Sequence, residues 1–365
     1  MARARPRTLK GSGLRREETK EEELVGKERP KTKDRRFKVA VLISLAALLS
    51  VATACGGGTR GPSGSEGKDG QSNRPVEIVV PFGAGGGADQ VARIAASSME
   101  GELGAQVPVV NTPGATGSTG MTSMLTSPPG EAVAILIQDT LATVPYGSAS
   151  FELDQIQGVC RLQEMPSAIF VQGDSPYQNW EALAAAARER PGELRVATVG
   201  QGGVDDVMLA ALAEQAGVEF RAVPFADPSE RYAALLGGAV DAMYEQPGDV
   251  LSNLESGEFM PALVFSEERV EGLEGDYVLG SEVGVDLVLN QFRGIVTNAE
   301  ADADTVGRLS DACAAVQEDP SFTDFQAQNF STPESYQDAE EFTEYIQAQA
   351  DTIADLQKEF GISGQ

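Results

Sequence analysis

The chain has 365 residues, 28 Lys+Arg against 55 Asp+Glu for a net charge of −27, no histidine and three cysteines. Without histidine there can be no Ser-His-Asp triad, no imidazole base and no zinc site built on histidine, and the acidic balance sets the surface against nucleic acid and anionic headgroups. The charge is unevenly placed: residues 1–55 hold 14 basic and 7 acidic side chains, so residues 56–365 hold 14 and 48, a net −34, and keep only two lysines, Lys68 and Lys358.

Residues 1–38 are polar and highly charged, and the apolar run "VAVLISLAALLSVATA", Val39 to Ala54, ends at Cys55. The run is shorter than the roughly 20 residues that span a bilayer, so 1–54 reads as a signal peptide with a long charged N-region. "ATAC", Ala52 to Cys55, resembles a lipobox, which makes Cys55 the expected lipidation site and the Gly- and Ser-rich stretch to residue 73 a flexible tether. The expected location is extracytoplasmic, lipid-anchored to the outer face of a bacterial cell membrane. The alternative is a plain secretory signal with an incidental cysteine.

Strands and helices then alternate. "VEIVVPF" reads as a buried parallel strand, and "ADQVARIAASSMEGELG", Ala88 to Gly104, as a helix with Val91, Ile94, Ala95 and Met99 on one face and a glycine stop. "QVPVVN", Gln106 to Asn111, is a second strand, followed by the turn "NTPGATGSTG" and a short helix around "MTSML"; "EAVAILIQ" is a third strand. The middle repeats the theme: "SAIFVQ", the helix "NWEALAAAARERPG", then "ELRVATVGQGGVDDVMLAALAEQAG" as strand, glycine turn and helix. "FRAVPF", "SERYAALLGG" and "AVDAMYEQ" supply a strand, a helix and a strand. In the tail, Thr332 and Pro333 suit N-cap and N1 of a helix carrying Phe342, Ile346, Ile353, Leu356 and Phe360 on one side and stopped by Gly361. The class is α/β.

Three strand ends carry glycine-rich turns, where open α/β sheets bind ligands. Each leaves free N–H groups at a helix start, and three converging would cradle a carboxylate-sized anion with no Arg or Lys. Gly83, Gly85 and Ala88 also satisfy a dinucleotide pattern, but Asn111 stands where a ribose-binding acid is expected, and there is no G-K-[ST]. Cys160 and Cys313 either pair in an oxidising compartment or stay as buried thiols.

"PFGAGGGAD", Pro81 to Asp89, with Arg93 beyond it, and "NTPGATGSTG", Asn111 to Gly120, resemble the two signatures of the substrate-binding proteins of tripartite tricarboxylate transporters. "VGQGGVDD", "VPF" at Val223 to Phe225, "LLGGAVDAMYEQ" and the segment Gly280 to Val306 follow in the family's order. "SPPGEAVAIL" departs from its usual P-D-G-Y-T-L, and Phe225 from its usual tyrosine.

The resemblance implies a two-lobed, type II periplasmic-binding-protein (Venus flytrap) fold, with lobe 1 from 75–165 plus 291–365 and lobe 2 from 166–290. It implies a receptor, not an enzyme, that captures a small carboxylate such as a di- or tricarboxylate and passes it to integral-membrane transporter subunits. A monomer without cofactor, metal or nucleic-acid partner is expected. The candidate ligand-binding residues are Phe82, Gly83, Ala84 and Gly86 of the first loop, Pro113, Gly114, Ala115 and Gly117 of the second, and Gln201, Gly202, Gly203 and Val204 from lobe 2, with Phe225 and Thr140 beside them. Asp89 either orients the loop or meets the ligand, the structural role being favoured. The rival readings are a secreted hydrolase using Asp139, Asp205 or Asp206, and a sensor receptor not coupled to transport.

Overall fold

The computed structural model describes residues 74–364; the apolar run 39–54, Cys55 and the stretch 56–73 lie outside the described residues. The first part of the chain lays down β1 (Glu77–Val80), α1 (Gly87–Leu103), β2 (Val109–Asn111), α2 (Ser118–Leu125), β3 (Ala132–Ile137), α3 (Gln138–Tyr146) and β4 (Ile156–Met165). Every residue of β3 is buried, as in a strand covered on both faces. Helix α1 turns Val91, Ala92, Ala95, Met99 and Leu103 inward and stops at Gly104, whose φ of 61° is a left-handed cap that glycine adopts without strain.

After Pro166 the chain enters a second sheet: β5 (Ser167–Gln172), α4 (Trp180–Glu189), β6 (Arg195–Thr198), α5 (Val204–Ala216), β7 (Arg221–Pro224), α6 (Pro228–Leu236), β8 (Ala242–Glu245), α7 (Leu251–Glu255), β9 (Phe259–Phe265) and β10 (Val278–Leu279). After Asn290 it returns to the first with β11 (Gln291–Asn298), followed by α8 (Ala303–Glu318), α9 (Pro320–Gln328) and α10 (Ala339–Glu359). Caps are written into the sequence: Asp227 accepts the Ser229 N–H ahead of Pro228, and Asp302 accepts the Thr305 N–H. Trp180 is buried and meets Phe220 with ring centroids 6.4 Å apart, a packing role.

The strand orders are β2-β1-β3-β11-β4 and, read from the far end, β7-β6-β8-β5-β9-β10. Both lobes follow one plan. Three parallel strands are joined by helices, and the first strand after each crossing is inserted antiparallel between the third strand and a later one. The two-lobed α/β architecture expected from the sequence is the one observed.

The tail differs from expectation at its start. Thr332 and Pro333 do not open the last helix, because the backbone there pairs elsewhere: the Thr332 N–H donates to the Glu164 carbonyl at 2.7 Å, and Gln337 and Arg161 exchange N–H···O bonds. Glu334 takes a φ of 56°, which no helix accommodates. Helix α10 starts instead at a capping box, with Asp338 accepting the N–H groups of Glu340 and Glu341 and Glu341 reaching back to the Asp338 N–H.

Cys160 in the middle of β4 and Cys313 in α8 are joined by a disulfide, with Cα atoms 6.3 Å apart, pinning the helix to the sheet across 153 positions. A crosslink closing so long a loop restricts the unfolded chain severely. Replacing both cysteines by alanine is therefore expected to lower the unfolding free energy by about 2–5 kcal/mol, read from the denaturant midpoint, and alkylation of the untreated protein should label neither residue.

Candidate functional site

The turns after β1 and β2 face the turns after β6 and β7. Three close approaches establish this: a Cβ built on Gly83 would lie 2.8 Å from the Asp227 carboxylate, one on Gly86 2.6 Å from the Pro228 ring, and one on Gly200 2.1 Å from the Thr116 hydroxyl. Only residues without a side chain let the lobes meet there.

The first turn is held by Asp89. Its Oδ2 accepts the Gly85 N–H at 2.9 Å and Arg93 Nε at 3.0 Å; its Oδ1 accepts Arg93 Nη2 at 2.8 Å and Asn111 Nδ2 at 2.9 Å. Asn111 Nδ2 also reaches the Phe82 carbonyl at 3.1 Å. Burial pushes the Asp89 carboxyl up, but the hydrogen bonds from Arg93, Gly85 and Asn111 outweigh it and hold the group below its ordinary value. Both oxygens are thus committed to the loop, which supports the positioning role. Ala84 lies exposed at the rim, while Phe82, Gly83 and Gly86 are buried.

The second turn is backbone under strain. Gly114, Ala115, Thr116 and Gly117 have φ values of 138°, 48°, 49° and 93° in succession, and two of the four carry side chains. Gly117 packs on Thr140, whose hydroxyl is buried without a partner, whereas Pro113 and Ala115 are exposed.

From the second lobe, Gln201 is exposed and the next three residues are engaged in lobe contact rather than left free. Gly202 lies against the Tyr146 ring, and its carbonyl accepts Gln357 Nε2 at 2.9 Å. Gly203 lies between the carboxylates of Asp139 and Asp205. The Val204 N–H donates to Asp139 Oδ1 at 3.0 Å, so a carboxylate of the first lobe caps α5 of the second.

Between the turns lies a cavity of about 30 Å³, walled by Phe82, Gly86 and Gly87 and floored by four charged side chains, Arg231, Glu245, Asp249 and Arg293. Such a volume holds about one or two water molecules. Arg231 donates to Glu245 through Nε and Nη2 and to the Phe225 carbonyl at 3.2 Å, so Phe225, half-buried, steadies the arginine through its backbone. Arg293 of β11 donates to Asp249, across the lobe boundary. Both ion pairs are almost completely buried.

The expectation of an anion pocket free of arginine is therefore corrected: two guanidiniums lie at the base of the cleft. A signal existed for one of them, since Arg293 interrupts the apolar strand "QFRGIV", and an arginine in such a run is seldom buried unpaired. Arg231, in the first turn of α6 and beside Tyr232, looks like any surface residue of an amphipathic helix.

Burial raises Asp139, Asp206 and especially Asp205 above the ordinary carboxyl range, with Asp139 adding repulsion to the last two. Asp249 is pushed up to about 6 by burial, against the pull of Arg293. For Arg231, burial alone would lower the value; Glu245 more than compensates and raises it. The carboxylates named as hydrolase candidates are taken up by amide donors: Asp139 accepts the Val204 N–H and the side-chain Gln291 Nε2, Asp205 the N–H groups of Val199 and Asp206, and Asp206 that of Gly202. None faces another across the open space a glycosidic bond would need. Among the described residues, no group of three or more His, Cys, Asp or Glu is placed to hold a metal ion.

The chain resembles known proteins in sequence and in fold. The tripartite tricarboxylate transporter family receptor model matches residues 91–362. A protein encoded in the tcbD-tcbE intergenic region of Pseudomonas sp. (strain P51) is 34% identical over 177 residues, 47% of this chain and 52% of that one, about half the relative's length. Among solved structures, the periplasmic binding protein BugD superposes with a TM-score of 0.74 at 27% identity, covering 80% of this chain and 99% of BugD. MatC of Rhodopseudomonas palustris, with bound malate, gives 0.71 at 23% identity, covering 78% and 98%, a likeness of fold. With the paired lobes and facing glycine turns, the match over most of the described residues means that the chain belongs to the tripartite tricarboxylate transporter receptor family, a family of solute-binding receptors.

Proposed function

We propose that the chain captures a small carboxylate outside the cell, closes over it and hands it to integral-membrane transporter subunits, held near them by a lipid on Cys55. The carrying observation is the pair of facing glycine turns above a floor that contains two guanidiniums. Backbone N–H groups at helix starts and arginines are the two chemistries that bind carboxylate, and here they share one cleft. MatC, a relative in fold, is solved with malate, a dicarboxylate. Lobe 1 is taken as 75–165 plus 291–365 and lobe 2 as 166–290. The strand crossings at Pro166 and Asn290 act as hinges, and a ligand need only favour the closed state over the open one.

Thermal unfolding of the purified protein, with carried ligand removed, against carboxylates, amino acids and sugars tests this. A ligand at a hundred times its Kd adds about 2.7 kcal/mol, a shift of a few degrees; a rise with sugars and none with carboxylates would overturn the reading. Gly86→Val should weaken binding roughly tenfold or more while unfolding stays cooperative. The cause is steric: its side chain would strike Pro228 across the cleft and prop the lobes apart.

The buried acids also set a pH dependence. A carboxyl raised in the folded protein contributes most at low pH, and its contribution is lost as pH rises above the unfolded value near 3.8 and through the folded one, about 6 for Asp249. The melting temperature should therefore fall between pH 4 and pH 7. Each such proton is worth about 1.4 kcal/mol per pH unit in that window, and Asp205→Asn should flatten the slope relative to wild type.

A further inference from the structure

The two ion pairs in the floor of the cleft are built differently. Arg231 and Glu245 belong to the same lobe, on α6 and β8, and the guanidinium makes a third hydrogen bond, to the Phe225 carbonyl. Opening the cleft leaves that pair intact. Arg293 and Asp249 belong to different lobes. Arg293 rises from β11, the returning strand inserted between β3 and the edge strand β4 of the first sheet, and Asp249 sits just past β8 in the second.

This second pair is also unfinished. Arg293 Nε is buried with no acceptor, its Nη1 has only the Met165 sulfur at 3.4 Å, and Asp249 Oδ1 is buried with no donor. A buried guanidinium satisfied on one edge alone is costly, and a planar carboxylate engaging two of its N–H groups is the partner it fits best. The pair is also placed beside the first glycine turn. A Cβ built on Gly87 would fall 2.1 Å from Asp249 Oδ1 and 2.2 Å from Arg293 Nη2, so the start of α1, one residue past Gly86, rests directly on the two charges.

We propose that Arg293 is the specificity-determining cation for the second carboxylate of a dicarboxylate ligand, and that Asp249 takes that carboxylate's place when the cleft is closed on itself. The inference rests on the carboxylate-receptor reading above and adds the length and charge that the ligand must have. When the lobes part, Asp249 leaves with its own lobe and Arg293 remains at the back of the cleft with free N–H groups. A ligand whose first carboxylate sits at the β1–α1 turn then reaches Arg293 with its second. Monocarboxylates gain the turn and lose the arginine, so Asp249 competes with dicarboxylates alone.

Calorimetric titration decides it, with succinate, glutarate and adipate, each against its own monoamide, which keeps length and removes one charge. Wild type should bind one of the diacids at least tenfold more tightly than its monoamide. In Arg293→Gln that ratio should collapse toward one while monoamide affinity persists, and Asp249→Asn should raise diacid affinity several-fold. Because either single change strands a buried charge, the neutral double variant R293Q/D249N provides the check in a folded protein: it too should lose the discrimination. Equal wild-type affinity for diacid and monoamide, or discrimination that survives in the double variant, would overturn the role of Arg293 and leave the receptor reading standing. Silence of wild type toward every diacid and monoamide would overturn the role of Arg293, and the receptor reading with it if the wider carboxylate panel is silent as well.

Discussion

The structure depends on backbone approaching closely where no side chain can fit. Gly83, Gly86, Gly117, Gly200, Gly202 and Gly203 each carry a neighbour, most of them on the opposite lobe or across the cleft, within the space a Cβ would need. Two α/β lobes can close on a small solute only if their strand-end turns come together without a layer of side chains between them. That requirement explains the concentration of glycine in three short turns better than turn-forming propensity alone, since positive φ is required at only some of these positions. It also explains the strain accepted at Ala115 and Thr116, whose left-handed conformation carries the second turn toward Gly200.

Charge is the second constraint, and it works against the first. A chain with so many acids places Asp139, Asp205, Glu245 and Asp249 in the region where the lobes meet, against two arginines. The excess is tolerated because Asp139, Asp205 and Glu245 accept backbone N–H groups, Asp139 that of Val204 at the start of α5 where partial positive charge is available, and because burial shifts Asp139 and Asp205 toward the protonated form. Near Gly203 it is Asp139, accepting the Val204 N–H of the other lobe, that ties the halves of the molecule together, while the two arginines are paired with Glu245 and Asp249.

Much of this was legible in the sequence. Continuous apolar runs such as "AVAILI" gave buried parallel strands, the Val91–Met99 face gave α1, and Gly104 gave its end. Asp89 could be assigned to the loop because its position two residues into the helix lets a carboxylate reach back to the Gly85 N–H. What stayed hidden depends on distant partners. The stretch from Thr332 has local helix signals, yet its N–H groups are taken by β4, 168 residues earlier in the case of Glu164. Arg231 and Arg293 are 62 positions apart and become neighbours of one cavity only through the crossing at Asn290. Spacing carries no trace of such a meeting.

Gln357, near the end of α10, holds two carbonyls with one amide: that of Ala142 in the first lobe at 3.0 Å and that of Gly202 in the second at 2.9 Å. The next residue, Lys358, is exposed and is the sole lysine of the described residues. Among the described residues, side-chain chemistry directed at amines therefore addresses one place, one residue from an amide that grips both halves of the cleft. A dye attached there would feel the lobes part without touching the cavity, which makes the scarcity of lysine in this acidic chain a ready-made handle for optical recording of its opening and closing.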